Sequence, residues 1–187
     1  GAYNLGVVFT NAPQTDLYRG KSGGAGATDP DGFDTHSRTW FMYAGLNQQL
    51  TQHQDDPNRG VSTSFSMSLA DQSTNYMHQV YAASLRYRGL FDARPEDWIG
   101  FGLTWIDMSS QYARNQRYLN SLSGVSDYNN PAWHPVPGHS LNGEFYYRFR
   151  PVSWLELQPG IQYWHHPGGV SRTQDAWVTE LKTVVTF

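Results

Sequence analysis

Along this chain the hydrophobic and polar positions alternate with period two, the spacing of a strand that has two different environments on its two faces. Near the C-terminus Trp177, Thr179, Leu181, Thr183, Val185 and Phe187 fall on one face, opposed by Glu180, Lys182 and Thr186. The preceding segment sets Leu155, Leu157, Pro159, Ile161 and Tyr163 against Glu156, Gln158, Gly160, Gln162 and Trp164. Further back, Leu141, Phe145, Tyr147 and Phe149 oppose Asn142, Glu144, Tyr146, Arg148 and Arg150, and Ile99, Phe101, Leu103 and Trp105 oppose Gly100, Gly102 and Thr104. The same rule predicts strands around Tyr81–Arg88, Val61–Leu69, Trp40–Leu50 and Tyr3–Thr10, which makes eight in all.

The connections fall into two alternating length classes. Short ones, at about 53–60, 90–97 and 151–153, are rich in Asp, Pro and Gly, which turn a chain at little cost. Longer ones lie at about 11–39, 71–76, 110–137 and 166–174, and two of these exceed any ordinary hairpin loop. Tight turns at one rim and long loops at the other describe an all-β antiparallel barrel that crosses a membrane, with 11–39 and 110–137 extracellular and the short turns periplasmic. A soluble sandwich or ligand-binding barrel would turn its apolar face inward. The charges at regular mid-strand positions (Arg86, Arg88, Glu144, Arg148, Glu180, Lys182) and the aromatics near strand ends on the apolar face argue for the opposite sense, grease outward and polar inward.

Composition narrows the picture. With 15% aromatic residues the chain is not a disordered one. Only 16% of residues are charged, the net charge is -3, and the mean hydropathy is -0.60, so amides, hydroxyls and glycines carry the polarity. There is no basic excess to attract nucleic acid. The absence of cysteine removes disulfides, thiolate metal sites and thiol nucleophiles. The longest apolar run, Trp40 to Leu46, is far short of the roughly 20 residues of a membrane helix. Gly1 to Thr10 has no basic start and already alternates like a strand, so the expectation is a chain that begins at a processed terminus or partway through a longer protein.

Two segments carry a more specific signal. The stretch Tyr87, Arg88, Gly89, Leu90, Phe91, then Arg94, Pro95, Glu96, Asp97, then the glycine-alternating Trp98 to Thr104, resembles a turn and strand of the OprB-type carbohydrate-selective porins. The run Glu144 to Arg148, Trp154 to Tyr163, His166 to Gly169, Ala176 to Val178 and the terminal Phe187 is similar to the end of that family. The resemblance implies a bacterial outer-membrane protein surrounded by lipid, with no cofactor, taking small carbohydrates as solutes, and leaves a homo-oligomer open. It also implies a barrel of about 16 strands, wide enough for a water channel, whereas about eight would close around a side-chain-filled interior. The remaining strands then belong to another part of a longer chain or to a second chain, unless a small closed barrel is built from porin parts. The wide barrel is favoured, because an eight-stranded interior would have to pair every one of its charges. Backbone pairing between the strands at Tyr3–Phe9 and Trp177–Phe187 would refute it.

In an open lumen the inward set is the selectivity surface. Arg86, Arg88, Arg148 and Lys182 offer donors, Glu144 and Glu180 acceptors, and Asn47, Asn142, Gln158 and Gln162 both; Tyr43, Tyr146 and Trp164 offer ring faces to a pyranose. Some of these charges are expected to pair across strands, Arg148 with Glu156 in particular. A glycosidase-like pair from Glu144 and Glu180 is disfavoured, since the neighbouring cations keep both ionised. A hydrolase triad from Ser140, His139 or His134, and Asp127 has no supporting spacing. Asp29, Asp31 and Asp34 open like a calcium loop but lack its closing glutamate. The pair His165-His166 reads as a rim turn, because neighbours in a strand point to opposite faces.

Overall fold

The computed structural model describes residues 1–187. Its main element is one eight-stranded antiparallel sheet in the order β1 (Ala2–Thr10), β4 (Thr39–Gln49), β5 (Gly60–Ala70), β6 (Met77–Arg88), β7 (Trp98–Met108), β8 (His139–Val152), β9 (Leu155–His165) and β10 (Ala176–Val185). All eight expected strands are present. At 9 to 14 residues each, they match the length that spans a bilayer when tilted. The sheet is open: β1 and β10 are its two edges and do not pair with each other, so this chain does not form a small closed barrel by itself.

Register confirms the division of faces. Asn142 faces Trp164, Glu144 faces Gln162, and Tyr146 faces Gly160 across β8 and β9. Lys182 faces Gln158, and Glu180 faces Gly160, across β9 and β10. On the apolar face Phe9 pairs with Trp40, Tyr81 with Trp105, and Tyr163 with Trp177. Three pairs of neighbouring strands thus each carry an aromatic pair toward their long-loop ends, the placement of an interfacial girdle.

A soluble sheet of this size would bury its apolar face. Here only 18 of 187 residues are buried, and of the large apolar side chains only Leu17 is among them. Leu5 is 75% exposed and Leu181 64%. Because a Leu or Phe side chain gains about 1.5–3 kcal/mol on leaving water, this surface is stable only against lipid.

Most of the buried residues lie at the long-loop rim, where the structure departs from the sequence reading. Segment 11–39 contains a second small sheet, β2 (Gln14–Gly20) paired with β3 (Phe33–His36), and segment 110–137 contains a helix, α1 (Ser110–Ser123). The Ser109 side chain accepts the Tyr112 N–H at the start of α1, and Gly124 closes it with φ 66°. Hydrophobic periodicity misses the helix because its buried positions are Ala113, Gln116 and Asn120, which form no apolar stripe. The Arg114 guanidinium lies 4.0 Å from the Tyr18 ring centroid and joins α1 to β2.

The short connections run from residue 50 to 59, from 89 to 97, and through Ser153 and Trp154 alone, slightly shifted from expectation. The buried Arg59 clasps two of them, donating to the Gly89 carbonyl at 2.7 Å and to Asp92 at 2.7 Å. Hydrogen bonding to that guanidinium holds the Asp92 carboxyl below its ordinary value. Asp97 accepts hydrogen bonds from Arg94 and from the Tyr147 hydroxyl. The Arg-Pro-Glu-Asp signature is therefore a structural clasp at this rim.

Candidate polar wall and rim sites

Alternation sends one side chain in two to the polar face, and the register places every wall candidate there: Tyr43 and Asn47 from β4, Arg86 and Arg88 from β6, Asn142, Glu144, Tyr146 and Arg148 from β8, Gln158, Gln162 and Trp164 from β9, Glu180 and Lys182 from β10. Within that face they form three groups.

The first lies toward the short-turn rim. Trp98 sits among the guanidinium groups of Arg86, Arg88 and Arg148, at 5.9, 5.7 and 5.1 Å from its ring centroid, within range of cation–π attraction. Arg88 pairs with Glu96 at 3.2 Å, and Glu156 takes Arg148 at 3.6 Å and Arg150 at 3.1 Å, as expected for the first of these two arginines. The Nε atoms of Arg86 and Arg88 have no protein partner. Trp98 escapes the sequence reading because the apolar alternation there begins at Ile99; continuing the period back by one residue puts it on the polar face.

The second group is a network across β8, β9 and β10. Lys182 Nζ lies 3.4 Å from Glu144 and 3.0 Å from Glu180, the latter an ion pair without hydrogen-bond alignment. Gln162 donates to Glu180 at 3.1 Å and accepts from the Trp164 indole at 3.1 Å. Gln158 lies opposite Lys182. Lys182 is shared between the two glutamates, so each carboxylate sits in an ion pair on the wall and its remaining lone pairs are left as hydrogen-bond acceptors.

The third group surrounds a groove of about 510 Å³ over β4 to β8, lined by Tyr43, Asn47, Ser64, Ser66, Ser68 and Asn142 among others. The serine ladder of β5 is absent from the sequence-based candidates, although its alternation with Val61, Phe65 and Met67 shows it plainly. Small residues make room here. Gly100 lies beneath the Tyr146 ring and Gly6 beneath that of Tyr43, where an added Cβ would collide with each ring.

Two other constellations named from the sequence are not assembled, the second of them already disfavoured there. Asp29, Asp31 and Asp34 do not converge: Asp29 Oδ2 accepts from the Ser22 N–H and hydroxyl, Asp29 Oδ1 accepts from the Asp31 N–H, and Asp34 accepts from the Thr35 N–H. The residues of the hydrolase constellation have separate partners. Ser140 donates to the His165 carbonyl at 3.2 Å, His139 stacks on Trp105, and Asp127 accepts from Asn129.

The family model described as "Carbohydrate-selective porin, OprB family" matches residues 1–187. Porin B of Pseudomonas aeruginosa is 31% identical over 187 residues, which cover 100% of this chain and 41% of Porin B. The high-pH structure of Pseudomonas putida OprB superposes with a TM-score of 0.95 at 35% identity, covering 99% of this chain and 44% of that one. The chain spans less than half the length of these relatives.

Proposed function

This chain belongs to the OprB family of carbohydrate-selective porins, and on that premise we propose that its sheet is one wall of a water-filled bacterial outer-membrane barrel through which small sugars diffuse passively. Strands from elsewhere in a longer chain, or from a second chain, complete the barrel. An open sheet in lipid would leave two rows of unpaired N–H and C=O groups, and hydrocarbon satisfies neither. The long segments 11–39 and 110–137 are its extracellular side.

The observation that carries this reading is the gathering of donors, acceptors and ring faces on one side of a sheet whose other side is apolar. Sugar hydroxyls both donate and accept, and the wall offers Arg148, Glu144, Gln162 and Asn142 to them at a cost that water in the lumen keeps low. The Trp98 ring and its three arginines supply a rigid amphipathic surface for a pyranose.

Liposome swelling with monosaccharides, compared with amino acids of similar size, tests the proposal. Sugars are expected to enter faster, and Trp98→Ala together with Arg148→Ala to reduce that preference while leaving the pore open. Equal rates for all solutes would make this a general porin, and no swelling would leave a plugged barrel.

A further inference from the structure

At the long-loop end of β9 the chain leaves the sheet through His165 and His166. In an extended strand two such neighbours diverge. His166 does not follow that rule: with φ 48° and ψ 64° it is the one non-glycine residue at positive φ. The left-handed turn swings its ring to the same side as that of His165, with centroids 3.7 Å apart. Asp175, just before β10, meets them, its carboxylate 3.0 Å from His165 Nδ1. Donor atoms of His165, His166 and Asp175 all lie within 4.8 Å of one another.

We propose that His165, His166 and Asp175 form a binding site for a divalent first-row transition metal of the zinc or copper class at the long-loop rim. Two imidazoles and one carboxylate are the donors such ions prefer, whereas calcium and magnesium take oxygen alone. Three protein ligands leave coordination positions for water. The group is held ready for the ion. The Tyr163 hydroxyl donates to Asp175 at 2.5 Å and the His166 N–H donates to it at 3.1 Å, the supporting bonds that orient a metal-binding carboxylate. The turn itself is pinned, since Gly169 donates to the His166 carbonyl at 2.8 Å and Gly138 to the Gly169 carbonyl at 2.7 Å.

A plain hydrogen-bonded staple between His165 and Asp175 would explain one imidazole. It leaves the second without a role, because the His166 ring has no hydrogen-bond partner in the protein and a glycine would adopt the same backbone without steric cost. His139, whose ring is 5.9 Å from that of His166 and stacks on Trp105, is the nearest further imidazole. The site lies apart from the polar wall and does not depend on sugar passage.

The test uses the full-length porin folded in detergent micelles, with ZnCl2 titrated calorimetrically and Cu2+ followed by electron paramagnetic resonance. His166→Gly removes one ligand while suiting the turn, and His165→Gln and Asp175→Asn remove the others. The expected result is a saturable zinc site whose affinity falls about tenfold or more in each variant. The copper spectrum should show coupling to two imidazole nitrogens in the wild type and to one in His166→Gly. Zinc binding that is equal in the wild type and all three variants would overturn the proposal, as would a copper spectrum that His166→Gly leaves unchanged.

Discussion

Asp16 is the residue on which the small β2–β3 sheet turns. Its burial alone would raise the carboxyl's pKa, but the His36 side chain at 2.7 Å and the N–H groups of Tyr18 and Arg19 outweigh that and hold it below its ordinary value of 3.8. A carboxylate with a depressed folded-state pKa contributes stability that is fully present above the unfolded value and is lost as pH falls through the folded one. The thermal stability gap between wild type and Asp16→Asn is therefore expected to be constant near neutrality and to close below about pH 4. A gap that persists unchanged at pH 2 would contradict this. Such a residue reads as an ordinary loop aspartate in the sequence, because its partners come from local turns and from a strand twenty positions away.

At the scale of elements, alternation is a strong signal for strands and a weak one for what lies between them. The strands were legible because lipid and water impose opposite chemistries on successive residues of β4 to β10. Helix α1 was not, since it packs through Gln116 and Asn120, and Asn120 exchanges two hydrogen bonds of 2.8 Å with the backbone of His134. Its end signals, Ser109 and Gly124, were nevertheless present in the sequence. Ser109 is fully buried and also donates to the Gln72 carbonyl, so Ser109→Ala is expected to cost at least the ordinary capping loss of about 1 kcal/mol. Differential thermal unfolding measures it, with Ser110→Ala, an exposed neighbour, as the comparison.

The whole molecule is a two-sided wall, and substitutions should sort by side more than by residue type. Leu103, in the middle of β7 on the apolar face, is 42% exposed; Leu103→Arg is expected to destabilise folding into phospholipid vesicles by about 2–4 kcal/mol. Thr104→Arg, one residue on and facing the polar side, should cost far less. Urea titration of vesicle-folded protein distinguishes the two, and equal losses would mean that the faces have been read wrongly.

Sequence alone determined the eight strands of the main sheet and its two faces, because each follows from one residue's relation to its immediate neighbours; β2, β3 and the length of each connection did not follow from it. Tertiary structure decided which residues meet. Trp98 gains its arginines from β6 and β8, Glu144 gains Lys182 from two strands away, and His166 joins His165 only through a backbone conformation that strand periodicity does not contain. Such contacts depend on register and on turns that bring distant positions together, and hydrophobic patterning carries the face of a residue but not the identity of its partner.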